Sequence, residues 1–131
     1  MLVYVDTSAL VKFVLPEPEH EALLTWSERP EVRLMTSDLT ITEFTRAVRR
    51  ANKSKTPSVR EMLSRCGFVR LDPSLYEEAG RLEPHELRSL DAIHLAAALA
   101  LGSQLDGMLT YDNRLAEAAR NVGIRTISVD E

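Results

Sequence analysis

The chain has 131 residues, with 16 basic and 20 acidic side chains and a net charge of −4, and its apolar fraction of 44% is ordinary for a globular protein. Its single cysteine, Cys66, excludes an intrachain disulfide framework and a thiolate metal site, and fits a reducing, cytoplasmic setting. The acidic balance does not by itself favour a nucleic-acid binder, although the local distribution of charge matters more than the sum. We expect one domain, no signal peptide and no membrane-spanning segment.

Short apolar runs alternate with amphipathic segments along the chain. In chain order the pattern predicts a strand at 2–5, a helix at 7–15 capped by Thr7 or Ser8, a helix at 17–28, a strand at 32–37, a helix at 37–53 with Ile41, Phe44, Val48 and Ala51 on its apolar face, a helix at 58–67 ended by Gly67, a strand at 68–71, a helix at 72–82, a helix at 89–102 capped by Ser89, a strand at 107–110, a helix at 112–123 and a strand at 124–129. This alternation predicts an α/β fold with a parallel sheet covered on both faces.

Two of four acidic residues follow strands, and the other two lie in helices that could begin at the same edge of the sheet. Asp6 comes directly after the first strand, and Asp112 comes two residues after the fourth. Glu43 lies in the helix after the second strand, and Asp91 lies in the first turn of the apolar helix SLDAIHLAAALALG. Ligand sites in open parallel sheets collect beyond the carboxyl ends of the strands, so these four carboxylates are expected at one edge.

Carboxylates gathered at one place repel each other unless a cation neutralises them. A set of oxygen ligands without a His or Cys pattern suits a hard ion, Mg²⁺ or Mn²⁺. Such an ion can lower the pKa of a bound water and stabilise charge on a phosphodiester oxygen. The four acids therefore predict a metal site for phosphoryl chemistry.

Each acid also has a purely structural explanation. Asp6 and Asp112 could be helix N-caps, and Asp91 could favour the positive end of its helix dipole. Glu43 could pair with Arg46 or Arg50 on the solvent side of its helix. These alternatives remain open at the level of single residues.

Four segments together resemble the PIN-domain family, and within it the VapC-type toxins of toxin–antitoxin pairs. They are VYVDTSALVKF, SDLTITEFTRAV around Glu43, SLDAIHLAAAL around Asp91, and LTYDNRLAEAARNVGI around Asp112. The resemblance spans nearly the whole chain. It implies a single PIN-like domain over 1–131, a three-layer α/β/α sandwich with a central parallel sheet, and a metal-dependent endoribonuclease.

The resemblance also implies the site residues. Asp6, Glu43, Asp91 and Asp112 would be the catalytic, metal-binding acids, with Asp6 and Asp91 in direct metal contact and the other two acting through water or a second ion. Small polar side chains would support them, namely Ser8, Thr110 and Asn113. His94, one helical turn after Asp91, could orient a carboxylate or bond a backbone carbonyl, and we favour a structural role for it over a catalytic one.

The expected reaction is attack of a Mg²⁺- or Mn²⁺-activated water on an RNA phosphodiester. An RNA substrate needs cations near the acids, and the candidates are Lys12, Arg46, Arg50 and Arg114, while Arg49, Lys53 and Lys55 could equally form a solvated helix face. The resemblance implies a homodimer and a small protein antitoxin that blocks the site. Apolar residues that could serve such a surface are Leu15, Leu23, Leu24 and Trp26, although Trp26 could equally be buried in the core.

Three alternatives differ in function. A phosphoacceptor receiver domain would need an early acidic pair and a late lysine, and no lysine follows Lys55. A non-catalytic RNA- or protein-binding module of the same fold would not need intact acids. The same nuclease could also act in RNA processing, and the residues do not distinguish that role from toxicity.

Overall fold

The structure is a computed structural model that describes residues 1–129. Its centre is a sheet of four strands, β1 (Leu2–Val5), β2 (Arg33–Ser37), β3 (Cys66–Val69) and β4 (Gly107–Leu109). The order across the sheet is β3-β2-β1-β4, and every neighbouring pair is parallel. β1 therefore lies in the interior, which explains why its four residues are all buried.

Seven α-helices accompany the sheet in residues 1–129. They are α1 (Thr7–Leu10), α2 (His20–Ser27), α3 (Asp38–Ala51), α4 (Thr56–Ser64), α5 (Pro73–Arg81), α6 (Ser89–Leu99) and α7 (Asn113–Asn121). A 3₁₀ turn, Val11–Phe13, follows α1 directly. No helix in the described range is both long and apolar enough to span a lipid bilayer.

The helices cover both faces of the sheet. Successive side chains of a strand point to opposite faces. Val3 and Val5 accordingly pack with the buried residues of α1 to α4, such as Phe44, whereas Tyr4 packs with α6 and α7 beside Leu95. The predicted three-layer α/β/α sandwich with a central parallel sheet is confirmed.

Two predicted helix caps were wrong. α1 is capped by Asp6, whose carboxylate accepts the Ala9 N–H at 3.1 Å, and the Ser8 hydroxyl donates to Asp6 instead. α6 begins at Ser89, and its N-cap residue is Arg88, which makes no capping bond through its side chain. A capping carboxylate accepts more strongly than a hydroxyl, because a bond to an ionised group is charge-assisted.

Two further predictions were wrong, one at Gly67 and one at the C-terminal end of the described range. Gly67 does not end α4 but lies within β3, where a Cβ would come 2.5 Å from Met35 Sδ. At the C-terminal end of the described range, the predicted strand 124–129 is reduced to one bridge between Thr126 and Met108. Gly107 makes room for it, since a Cβ there would lie 2.6 Å from Ile127 Cδ1.

The apolar faces also differ from the pattern. On α3 only Phe44 and Val48 of the predicted face are buried, while Ile41 and Ala51 are exposed. Of the apolar residues predicted for a partner surface, Leu23 and Trp26 are buried in the core, and Leu15 and Leu24 are half-buried against it. These four residues therefore do not form an exposed groove.

Candidate functional site

The candidate site lies where the strand order changes direction. β1 pairs with β2 on one side and with β4 on the other, so the chain reverses its direction of winding at β1. A crevice outside the carboxyl ends of two such strands is the usual ligand site of an open parallel sheet. Asp6 directly follows β1, and Thr110 and Asp112 follow β4, so three of the predicted residues meet this edge.

Asp6 is a buried carboxylate held by three donors, and only 4% of the residue is exposed. Its Oδ1 accepts from the Ser8 hydroxyl at 2.7 Å and from the Ala9 N–H at 3.1 Å, and its Oδ2 accepts from the Thr110 hydroxyl at 2.7 Å. Burial raises the pKa of Asp6, and the hydrogen bonds from Thr110 and Ser8 and the charge of His94 oppose that rise only in part. The cap is therefore real, but it does not offset the cost of burying the charge.

Ser8 and Thr110 join the ends of β1 and β4. The Ser8 hydroxyl accepts the Tyr111 N–H at 2.9 Å, and the Thr110 hydroxyl accepts the Asp112 N–H at 3.0 Å. The two hydroxyls lie 3.2 Å apart. Each hydroxyl thus contacts Asp6 and also fixes the backbone of the loop that carries Asp112.

Glu43 turns inward and does not pair with Arg46 or Arg50. Its Oε1 accepts from the Thr7 hydroxyl at 2.9 Å and from His94 Nε2 at 2.7 Å. Burial tends to raise the pKa of Glu43, but the hydrogen bonds from His94 and Thr7 and the charge of His94 outweigh it and hold the pKa below its usual range. Glu43 is therefore ionised at neutral pH.

His94 connects Glu43 to the core beneath the site. The residue is 3% exposed, and its Nδ1 lies 2.8 Å from the Tyr4 hydroxyl. Burial raises the pKa of Tyr4 well above its ordinary value, and the charges of Asp6 and Glu43 act in the same direction. Tyr4 thus stays protonated, and the chain Tyr4–His94–Glu43–Thr7 crosses from one face of the sheet to the other.

Asp91 and Asp112 complete the acidic edge. Asp91 lies in the first turn of α6, is half-buried, and has no side-chain hydrogen bond to any residue between 1 and 129. Burial raises its pKa, and the charges of Asp112 and Glu43 add to that rise against those of His94 and Arg88. Asp112 caps α7 by accepting the N–H groups of Arg114 at 2.9 Å and of Leu115 at 3.3 Å.

The donor chemistry of this edge fits a hard divalent cation. All four candidate ligands are carboxylates, the ligand type that Mg²⁺ and Mn²⁺ prefer. The raised pKa values of Asp6 and Asp91 mark negative charge that the fold alone does not neutralise. As the side chains stand, no three acidic, His or Cys groups among residues 1–129 converge on one metal position.

The predicted cations differ in how they are held. Lys12 pairs with Glu19 at 3.1 Å and lies 4.7 Å from the centre of the Tyr111 ring, so it is anchored beside the loop that follows β4. The other candidates are exposed, and within residues 1–129 none of them forms an ion pair: Arg46, Arg50, Arg114, Arg49, Lys53 and Lys55. Asn113, at the start of α7, is also exposed and is not hydrogen-bonded to the acids in this range.

Sequence reasoning missed Tyr4 and Thr7. Tyr4 lies in an unbroken apolar strand, LVYV, where an aromatic residue gives no sign of a polar contact. The sequence predicts Thr7 as a candidate helix cap, whereas in the structure its hydroxyl bonds Glu43 on α3. The alternation of side chains along β1 could have indicated that Tyr4 and α6 share a face.

Comparisons with known proteins give a consistent picture. The family model of the PIN domain matches residues 3–121. Ribonuclease VapC35 of Mycobacterium tuberculosis is 40% identical over 130 residues, which cover 97% of this chain and 96% of that protein.

Solved structures share the fold at low identity. Mycobacterium tuberculosis VapC20, described as a Sarcin-Ricin loop cleaving toxin, superposes with a TM-score of 0.72 at 18% identity, covering 93% of this chain and 95% of that one. VapBC2 from Rickettsia felis, bound to a DNA fragment from their promoter, gives a TM-score of 0.70 at 14% identity, covering 99% and 100%.

Proposed function

The chain belongs to the PIN-domain family, and we propose that it is an endoribonuclease of the VapC type, acting as the toxin of a toxin–antitoxin pair. The proposal is supported by the near full-length similarity to a protein named ribonuclease VapC35. The single observation that carries it is the edge formed by Asp6, Glu43, Asp91 and Asp112, with a buried carboxylate at its centre. Burial raises the pKa of Asp6, so the ionised carboxylate is unfavourable for packing alone, and such perturbed groups cluster at functional sites.

We propose Mg²⁺ or Mn²⁺ as the cofactor, held by Asp6 and Asp91, with Glu43 and Asp112 acting directly or through water. The bound ion supplies Lewis-acid stabilisation of the phosphate and lowers the pKa of a water molecule. The chain supplies the positions of the ligands. Ser8 and Thr110 orient Asp6, and the cap on α7 orients Asp112.

The proton of the attacking water is assigned to a carboxylate. Glu43 is ionised, and its Oε2 makes no hydrogen bond within residues 1–129, so this oxygen can accept the proton when Glu43 is not a direct metal ligand. Ser8 and Cys66 are poorly suited to act as nucleophiles. The Ser8 hydroxyl donates to Asp6, and burial raises the pKa of the Cys66 thiol to about 11.

The exposed cations on α3 and α7 are proposed to bind the RNA backbone. Arg46 and Arg50 follow Glu43 on the same helix, and Arg114 follows Asp112. Contacts of this kind position a phosphate chain without reading its sequence, and they make affinity depend on salt. Lys12 would contribute only if the RNA displaced Glu19 from it.

The proposed setting is the cytoplasm, with a homodimeric toxin and a small protein antitoxin that blocks the acidic edge. Apolar side chains for such contacts are available outside the predicted segment 15–26. The exposed large ones in the described residues are Met1, Ile41, Tyr76, Leu90 and Leu99. Leu90 precedes Asp91, so a partner that covered it would also reach the site.

The experiment is cleavage of a mixed RNA pool by the purified chain in Mg²⁺ or Mn²⁺, with EDTA as the control, followed by analysis of the product ends. Attack by water that expels the 3′-oxygen leaves a 5′-phosphate on one product and a 3′-hydroxyl on the other. Attack by the neighbouring 2′-hydroxyl instead leaves a 2′,3′-cyclic phosphate and a 5′-hydroxyl. The proposal predicts EDTA-sensitive cuts without cyclic ends. RNA binding without cleavage in either metal would favour the non-catalytic binding module instead.

A further inference from the structure

Glu43 Oε1 is fully occupied by two donors from different elements. Thr7 approaches from α1 and His94 from α6, at 2.9 and 2.7 Å. A carboxylate oxygen offers two lone pairs, so these two bonds saturate Oε1 and leave Oε2 as the oxygen available for other contacts. The ionised Glu43 can only accept, which requires that Nε2 of His94 carry the hydrogen.

Tyr4 determines whether the other ring nitrogen of His94, Nδ1, carries a hydrogen. In the neutral form of His94, a hydrogen on Nε2 leaves Nδ1 bare, and Nδ1 can then only accept. The Tyr4 hydroxyl lies 2.8 Å from this nitrogen and is buried, so it is the donor to the neutral ring. Tyr4 therefore selects the tautomer of His94 that donates to Glu43.

The surroundings leave His94 no other role. The residue lies on α6 between the buried side chains of Ala92 and Leu95, and both ring nitrogens are used.

We propose that Tyr4 and His94 are positioning residues for Glu43. His94 holds Glu43 so that Oε1 is occupied and Oε2 is free, and the Tyr4 hydroxyl acts by fixing the tautomer of His94. The expected effect on RNA cleavage rests on the proposed ribonuclease function. The direction of the hydrogen bonds from Tyr4 to His94 and from His94 to Glu43 does not. Neither residue is a ligand or a nucleophile in this scheme. Removal of such a supporting partner typically lowers metal affinity or activity by about 10–100-fold.

The polarity is tested by nitrogen NMR of the ring signals in the full metal-free chain, with the pH raised from the ordinary His pKa of about 6.5 until the His94 signals stop changing. The chain has three histidines, and His85 is exposed and serves as the internal reference. We expect His94 to show a protonated Nε2 and a bare Nδ1, and Tyr4→Phe to move the Nδ1 signal most. A protonated Nδ1 with a bare Nε2, or tautomer averaging like that of His85, would overturn the proposal.

The positioning role is tested with His94→Gln and His94→Leu, since the amide of Gln can still donate to Glu43 and Leu cannot. In His94→Leu we expect the dissociation constant for Mn²⁺ alone to rise about tenfold, and kcat on RNA to fall at least as much with KM unchanged. His94→Gln should recover most of both losses, and His85→Leu should change neither. Melting curves establish that each variant is folded.

Two results contradict the proposal in this arm: wild-type Mn²⁺ affinity and kcat in folded His94→Leu, or a folded His94→Gln as impaired as His94→Leu. Failure of the proposed function has a different signature. If the wild-type chain cleaves no RNA, the Mn²⁺ titration and the NMR polarity still decide whether His94 positions Glu43.

Discussion

Replacing Asp6 by Asn should stabilise the metal-free protein. Asp6 is 4% exposed, and its raised pKa means that the fold prefers its neutral form, so the ionised carboxylate costs stability at neutral pH. Asn keeps a capping oxygen for the Ala9 N–H, and the Ser8 and Thr110 hydroxyls can rotate to accept from its amide. Removal of such a functional strain commonly gains about 1 kcal/mol.

The expected change in melting temperature follows from the size of the chain. The unfolding entropy of a 131-residue chain is roughly 0.28 kcal/mol/K at about 2.1 cal/mol/K per residue, so 1 kcal/mol corresponds to about 4 °C. The advantage of Asp6→Asn should be complete above the raised pKa of Asp6. It should disappear as the pH falls toward the unfolded value of about 3.9, where wild type is also neutral.

The assay is thermal unfolding in EDTA across this pH range, with two comparison variants. Asp6→Ala loses the cap and should cost about 1 kcal/mol. Asp38→Asn is the matched control, because Asp38 pairs with Arg70 at 2.9 Å and its removal should not stabilise. If Asp6→Asn lowered the melting temperature at neutral pH as much as Asp6→Ala, the ionised carboxylate itself would stabilise the fold and the reasoning would fail.

Three further outcomes follow from the same contacts. Asp112→Asn should keep the α7 cap and change the free energy of unfolding in urea by less than about 0.5 kcal/mol, while Asp112→Ala should cost about 1 kcal/mol; equal losses would contradict the capping geometry. Gly107→Ala should cost about 1–3 kcal/mol, because its Cβ would meet Ile127, whereas Gly80→Ala on α5, with open space around it, should be neutral or stabilising in the same melts. Mn²⁺ at about 100 times its dissociation constant should stabilise wild type by about 2.7 kcal/mol, or roughly 10 °C, and an unchanged melting temperature would count against a metal site.

Much of the fold could be predicted because burial leaves a plain signature. The strands at 2–5 and 107–110 are apolar runs, and parallel strands have this pattern when both of their faces are covered. The edge strand β3 was displaced by two residues, because Gly67 resembles a helix terminator unless the Met35 side chain that occupies its Cβ position is known.

The candidate site could be predicted only in part, because its supporting contacts join residues far apart in the chain. Asp6 and Asp112 follow strands, and a linear sequence pattern reveals such positions. The bonds from Thr7 and His94 to Glu43 span 36 and 51 positions, and the contact of Tyr4 with His94 spans 90. For the same reason the sequence allows an ion pair of Glu43 with Arg46 or Arg50 on the surface, whereas in the structure Glu43 faces inward.

Asp91→Asn is the most direct test of the central proposal. Asp91 caps no helix and makes no side-chain hydrogen bond within residues 1–129, so its replacement should not disturb the fold, and relief from the charge of Asp112 should leave stability equal or higher. RNA cleavage in Mg²⁺ should fall by roughly 100-fold or more in the folded variant, as for loss of a group that stabilises transition-state charge. Cleavage at the wild-type rate, resistant to EDTA in both proteins, would contradict a metal-dependent ribonuclease site at this edge of the sheet.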